Sequence, residues 1–372
     1  MAGDEGHTTP LPAGTATFRI QSGRVVVQRL VDVADTIDLG AVRGRTSSDE
    51  DMKAAPGDRI VDLEPLAVVL GYATWPAGSR GIEGHTTARL YEFGVAALSF
   101  SCEIVDLDWD GLLSLVDALN PVAATGWPAG VWNPALRRLL DTCGVPPRRD
   151  EHLLAEEHLM VVVTATAGRD APDDTQLARL LSGDAGELSG PARERLLEHR
   201  YSHHADDLLA LGASRSYMQG AAWVPGMTDV LEAAHARVLE LRFYNTLLYD
   251  ELPRMYALVA RAHERFAALA PRRMATLARR LYTLVGEVTE LMEKLDTSIE
   301  VPGSPHLAMA YAKALELLQV PALGSAVDRK LAIVRDTYAA LYDEAAASRA
   351  GLLELIIIAL IALEIAMTIA RW

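Results

Sequence analysis

The spacing of apolar residues changes along the chain. From Thr15 to about Thr166 they come in short runs. FRIQSGRVVVQRL, PLAVVLGYATW and ARLYEFGVAALSFSCEIV are rich in β-branched and aromatic residues with Gly or Pro nearby, which predicts strands. HLMVVVTAT, from His158, is a continuous apolar run, the mark of a strand buried on both faces. DGLLSLVDAL and NPALRRLLDTC carry helical spacing instead. Residues 15–176 therefore predict a mixed α/β domain, behind a polar, acidic lead at residues 1–14 expected to be disordered. The polar stretch AGRDAPDDTQ marks a boundary near residues 167–176, and beyond it the strand signal disappears.

In the second half the apolar positions step by three and four. Leu231, Ala234, Val238, Leu241, Leu248 and Leu252 form one series, with Asn245 in the remaining seam position and Pro253 predicted to kink or restart the helix. Leu277, Leu281, Leu284, Val288, Leu291 and Leu295 form a second series, and Leu331, Val334, Tyr338, Leu341 and Ala345 a third. So narrow a stripe fits a coiled-coil seam better than the wide face of a globular helix. Between the last two series, Ser304 and Pro305 signal a helix start, and Pro321 lies just past the expected end. Residues 177–350 thus predict a helical domain with a coiled-coil hairpin over about 272–297 and 327–350.

The last segment, from Leu352 to Ala370, carries only two charges, Glu354 and Glu364. Its hydropathy predicts a transmembrane helix over 351–370, slightly favoured for insertion although Glu364 lies near mid-span. Ala359, Ala362, Ala366 and Ala370 make a small-residue stripe suited to close helix approach. Glu364 points well away from that stripe, so burying both requires two different neighbours and hence a higher-order oligomer. The expected architecture is α+β: an N-terminal mixed α/β domain, a C-terminal helical coiled-coil region and a single C-terminal transmembrane helix.

Charge narrows the partners. Fifty acidic against 35 basic residues give a net charge of −15, which repels phosphate backbones at long range. Cys102 and Cys143 lie far apart, fit no metal spacing, and point to a reducing compartment. The lead lacks the basic flank and apolar run of a secretory signal. The expected localisation is a membrane with a single-pass C-terminal anchor and the bulk of the chain in the cytoplasm.

Three stretches carry candidate chemistry. In DLDWDGLLSLVD, Asp106, Asp108, Asp110, Gly111 and Asp117 match the oxygen spacing of a calcium loop. The preceding residues read as a strand, however, and the twelfth position is Asp rather than Glu, which favours Asp110 as a helix cap over a metal: none is the expectation there. In HRYSHHADD, His199 and His203 lie four apart with Asp206 and Asp207 near the same helical face; without further ligands a solvated polar face is the simpler reading. Arg254, Arg261, Arg265, Arg272, Arg273, Arg279 and Arg280 form a basic stretch, either paired with nearby acids or in contact with lipid headgroups, a ribosome or RNA. No nucleotide-binding or nucleophile motif appears, so no cofactor, small-molecule substrate or catalytic residue is expected.

The stretches VLELRFYNTLLYDELPRMY, GEVTELMEKLDTSIEVPGSPHLAMAYAKALELLQVP and VDRKLAIVRDTYAALYDEAAASRAGLLELIIIALIALEI resemble the "required for meiotic nuclear division" family, a domain-of-unknown-function family, over roughly residues 195–370. That resemblance implies an N-terminal mixed domain, a helical coiled-coil region, a C-terminal anchor and self-association, with no catalytic residues. The expected function is a membrane-anchored, self-associating scaffold without catalytic activity. Its oligomer interface would be Asn245, Leu277, Leu281, Leu284, Val288, Leu291, Leu295 and Glu364. A ribosome- or RNA-contacting tether and a calcium- or metal-regulated protein are the alternatives.

Overall fold

The computed structural model describes residues 18–34, 36–46, 65–77, 81–119, 129–146, 154–168, 171–204, 206–220, 223, 226–264 and 304–337, with separate positions within 279–289, 339–340 and 357–367. The predicted lead at 1–14 lies outside the described residues.

Strand β1, Arg19–Asp32, is the centre of the fold. It pairs antiparallel with β4, Val95–Asp108, on one side and with β5, Ala155–Ala167, on the other. Strands β2, Leu66–Trp75, and β3, Ile82–Leu90, extend the β4 side. The stretch ARLYEFGVAALSF holds two strands: Gly94, at φ 91°, turns β3 into β4 in a conformation that costs glycine little.

The sheet continues past the polar stretch at 167–176. Strands β6, Arg200–Tyr201, β7, Leu208–Leu211, and β8, Arg215–Gln219, complete an eight-stranded sheet in the order β2-β3-β4-β1-β5-β8-β7-β6. Strand β8 runs parallel to β5, and the other neighbours are antiparallel. These three strands escaped the sequence pattern because they are short; a four-residue LLAL has no alternation to read.

One face of the sheet carries α1, Leu39–Thr46, α2, Trp109–Ala118, α3, Ala129–Cys143, α4, Asp174–Ser182, and α5, Gly190–Leu196. The main core lies beneath this helix layer, where Trp75, Phe100, Trp132, Leu112 and Leu139 meet the β1 residues Val25, Val27 and Val31. Cys102 and Cys143 are buried as free thiols, and burial pushes both up to about 11, which keeps them unreactive.

The opposite face is crossed by α6, Met227–Glu264, followed by α7, Pro305–Leu317, and α8, residues 320–337. Ser304 and Pro305 start α7 as expected. Pro253 does not restart α6, which is a single helix through it, and Pro321 opens α8 rather than following an end, a first-turn position where its missing N–H is harmless.

The coiled-coil expectation is corrected here. In α6, Leu231, Ala234, Val238, Leu241 and Leu248 are buried, but so are Val230, Ala233, Ala236, Leu239 and Tyr244. The helix is covered on the sheet side and on the α7 and α8 side, so its burial is far wider than a seam. Val288 packs with Val320, Val327 and Val334 of α8 and Leu248 of α6, inside the chain. Asn245 also bonds within the chain: its side-chain and backbone oxygens each accept from Lys330 Nζ at 2.8 Å. Leu277, Leu281, Leu284, Leu291 and Leu295 lie outside the described residues.

The transmembrane helix is corrected as well. Among the described residues no helix is long and apolar enough to cross a membrane, so neither the anchor nor the single-pass localisation is retained. Within 351–370 only positions 357, 358, 360, 361 and 367 are described, all helical; Glu364 lies outside them. What remains of the expected architecture is α+β, one mixed sheet between two helical layers.

Candidate functional site

The features most in need of explanation are charged and polar groups sealed between the sheet and α6. Along β1, Val26, Gln28 and Leu30 face α6, and register sets them against Met160, His158 and Glu156 of β5. Gln28 and His158 therefore sit side by side in an otherwise apolar surface. On α6, Asp229, Glu232 and His235 recur every third residue, the spacing that puts side chains on one helical face. The two rows meet.

Glu232, only 1% exposed, is the hub. Its Oε2 accepts from Gln28 Nε2 at 2.8 Å, and its Oε1 accepts from the Tyr91 hydroxyl at 2.5 Å. The Arg89 guanidinium, reaching in from β3, lies 3.3 Å from the same Oε1 and donates to Asp229 Oδ1 at 2.6 Å. Burial pushes the Glu232 carboxyl above its ordinary range, while Arg89 and the Tyr91 hydrogen bond pull it back. Glu232 in turn holds Arg89 more firmly protonated than usual.

Beside this hub, the rings of His158 and His235 lie 4.4 Å apart, both fully buried. His158 Nε2 is 2.9 Å from Ser216 Oγ on β8. His235 Nδ1 donates to the Leu231 carbonyl at 2.8 Å, which places its proton on Nδ1. Burial pushes both imidazoles below their ordinary range, and a neighbouring charge adds to it, His235 for His158 and Arg242 for His235. Further along, Arg242 pairs with Glu156; on the opposite face of the strands Arg29 pairs with Glu157 at 3.2 Å, and burial raises Glu157 to about 7 against the pull of Arg29.

The calcium-loop residues are not brought together around one point. Asp106, in a left-handed conformation at φ 53°, is bound by Arg19 at 2.5 and 2.8 Å. Asp108 rather than Asp110 caps α2, accepting from Gly111 N at 2.8 Å, and Asp117 meets Arg215 at 3.3 Å. Asp108→Ala is expected to lower stability by about 1 kcal/mol. Calcium should leave the melting temperature of both forms unchanged; a calcium-dependent rise present only in the parent chain would restore the ion-binding reading.

HRYSHHADD is not a helix. His199 precedes β6, and His203 stands in the turn before β7, its ring 4.4 Å from that of His204 and 3.7 Å from that of His306 at the start of α7. Asp207 is occupied: it accepts from the His203 and His204 backbone amides at 2.6 and 2.9 Å and from Trp223 Nε1 at 3.2 Å. Among the described residues, no group of three or more His, Cys, Asp or Glu is placed to hold a metal ion. In the basic stretch Arg279 is exposed, while the side chains of Arg254, Arg261, Arg265, Arg272, Arg273 and Arg280 lie outside the described ones.

None of Gln28, Arg89, Tyr91, His158, Glu232 or His235 stood out in the sequence. The available signal was a polar letter inside an apolar run, as in VVVQRLV and VLEAAHARVLEL. A polar residue there is either exposed or matched, and only the fold shows the match.

A family model described as "Uncharacterized protein MJ0711, N-terminal domain" matches residues 22–218, more than half of the chain. The match begins inside β1 and ends inside β8, so it covers the sheet and its five-helix layer and stops before α6. This finding corrects the resemblance to the meiotic nuclear division proteins, which rested on helical patterns mostly outside that span. Comparison with curated proteins and with solved structures gives no match.

Proposed function

Because the chain belongs to the family defined by the N-terminal domain of the uncharacterized protein MJ0711, we propose that it uses this domain as a rigid platform in a non-catalytic, self-associating scaffold. One observation carries the reading. Ile357, Ile358, Leu360, Ile361 and Met367 are all helical and between 51% and 60% exposed. Apolar side chains exposed at several helical positions mark a contact surface.

Charge favours a protein as the cover. A net charge of −15 disfavours phosphate-rich surfaces, whereas a second copy presents the same apolar residues to one another in an isologous contact. The platform supports the reading in a second way. Its reactive side chains, including His158, Ser216, Cys102 and Cys143, are buried in the packing that holds the helices to the sheet.

Sedimentation of the full chain beside a chain ending at Ala350 tests this. The full chain should run well above its own 40.3 kDa, and the shortened one should run lighter than the loss of the tail alone explains. Monomeric mass for both removes the self-association reading.

A further inference from the structure

The sheet's two faces are held by different physics. Beneath α2 to α4 the packing is mainly apolar, with Arg215 of β8 bonded to Asp117 and the Leu180 carbonyl, but α6 meets the sheet through Arg89, Tyr91, Gln28, Glu232, His158 and His235. We propose that the layer under α6 is an acid-labile latch, in which proton uptake by His158 and His235 frees the first half of α6 while the sheet stays paired.

The geometry supplies the reasons. Neither imidazole bonds to a carboxylate: His158 has the Ser216 hydroxyl, and His235 the Leu231 carbonyl. A proton on either ring puts a cation into a buried site, and protons on both put two cations with rings 4.4 Å apart, where their repulsion is weakly screened.

The surrounding charges do not rescue them. From α6, Asp229 and Glu232 are engaged by Arg89, and Arg242 is itself a cation that disfavours a charged His235. From β3 and its turn come Arg89 and the Tyr91 phenol; from β5 comes Glu156, paired with Arg242; from β1 and β8 come the neutral Gln28 and Ser216. Two backbone groups favour the charged forms and oppose the latch's release: Leu231 acts on His235, and Ala213, between β7 and β8, acts on both rings. From α7, Leu307, Ala310 and Ala314 add apolar cover, with the Tyr311 phenol.

The sign follows from linkage. A histidine held neutral in the folded state and free to protonate on release binds more protons in the released state. Stability is therefore full above its ordinary value near 6.5 and falls as pH drops below it. Glu157 acts in the opposite sense, since a carboxyl raised to about 7 favours the folded state at low pH and loses that contribution as pH rises through 7. The test must therefore compare variants at one pH rather than the parent chain across pH alone.

Hydrogen exchange read by mass spectrometry on the full chain, at about pH 7.5 and about pH 5.0 and corrected for intrinsic rates, gives the answer. Residues 228–241 should lose protection by roughly tenfold or more per unit of pH below 6.5 for one released histidine, while 95–104 of β4 changes little. His235→Phe should cut that acid loss by about tenfold per pH unit. Should this variant fail to fold, His158→Phe combined with Ser216→Ala reads the same latch without stranding the hydroxyl. Ring-nitrogen NMR of the parent chain gives an independent measure: two of its ten histidines should remain neutral after the rest have titrated. Loss of protection in α6 and β4 together, an acid loss unchanged in both variants, or all ten histidines titrating alike would overturn the proposal.

Discussion

Arg89→Ala is expected to lower the free energy of unfolding by about 3 to 5 kcal/mol near neutral pH, measured by urea denaturation. Arg89 sits 2.6 Å from Asp229 and 3.3 Å from Glu232, and the Glu232 side chain is 2% exposed. Removing the guanidinium leaves a carboxylate that water cannot reach, the costly way to break a buried pair. The loss should shrink in acid, because burial has already raised Glu232 and a protonated carboxyl no longer needs its cation. Adding Glu232→Gln should restore part of the stability, since the two changes share one network and are not additive. A loss below about 1 kcal/mol would mean that Gln28 and Tyr91 alone satisfy Glu232 and that Arg89 serves only Asp229.

Phe100→Ala should cost about as much, roughly 3 to 5 kcal/mol, through a different cause. The ring is fully buried in the core beneath α3, 5.2 Å from the Trp75 ring, which in turn meets Trp132 edge-on at 5.8 Å. The fold has shaped itself around this ring: a Cβ added at Gly84 would fall 2.6 Å from Phe100 and 2.5 Å from the Ser101 carbonyl. That close approach leaves the neighbouring backbone little freedom to collapse into the cavity. Phe100→Leu should cost distinctly less, because more of the volume stays filled. Near-ultraviolet circular dichroism should change with the alanine variant as Trp75 and Trp132 lose their fixed contact. Equal stability losses for Ala and Leu would show that the aromatic contact, rather than the filled volume, sets the cost.

These two residues differ in how visible they were. Phe100 stands in VAALSFSCEIV, whose alternation announces a strand and an inward-facing ring. Arg89 stands in TARLYEFG, where an arginine reads as a solvent-facing residue. Its partner lies 140 residues further on, in a different element. No local pattern encodes such a distance.

The same division explains the helical half. Steps of three and four from Leu231 to Leu252 correctly predict a helix, since they report what one face must bury. They do not report how much of the circumference is buried, and α6 is enclosed by sheet and helices together. A helix between two layers contains a heptad as a subset of its buried positions, so its sequence carries the same narrow stripe as a coiled-coil seam. His203 and His306 show the reverse case. They are separated by about a hundred residues and yet their rings meet at a tilt, because the turn before β7 and the start of α7 meet at one corner.

By itself the sequence determined the elements whose signals are local: the strands of the first half, the start of α7, the α2 helix and the α+β class. Each follows from side-chain period, β-branching or a cap, which act within a few residues. Only the tertiary structure decided that β7 and β8 join the same sheet, that α6 lies across it, and that Gln28, Arg89, Glu232, His158 and His235 form one sealed layer. Those outcomes depend on strand order and register, and the energy of a buried polar group is set by the distant partner that satisfies it.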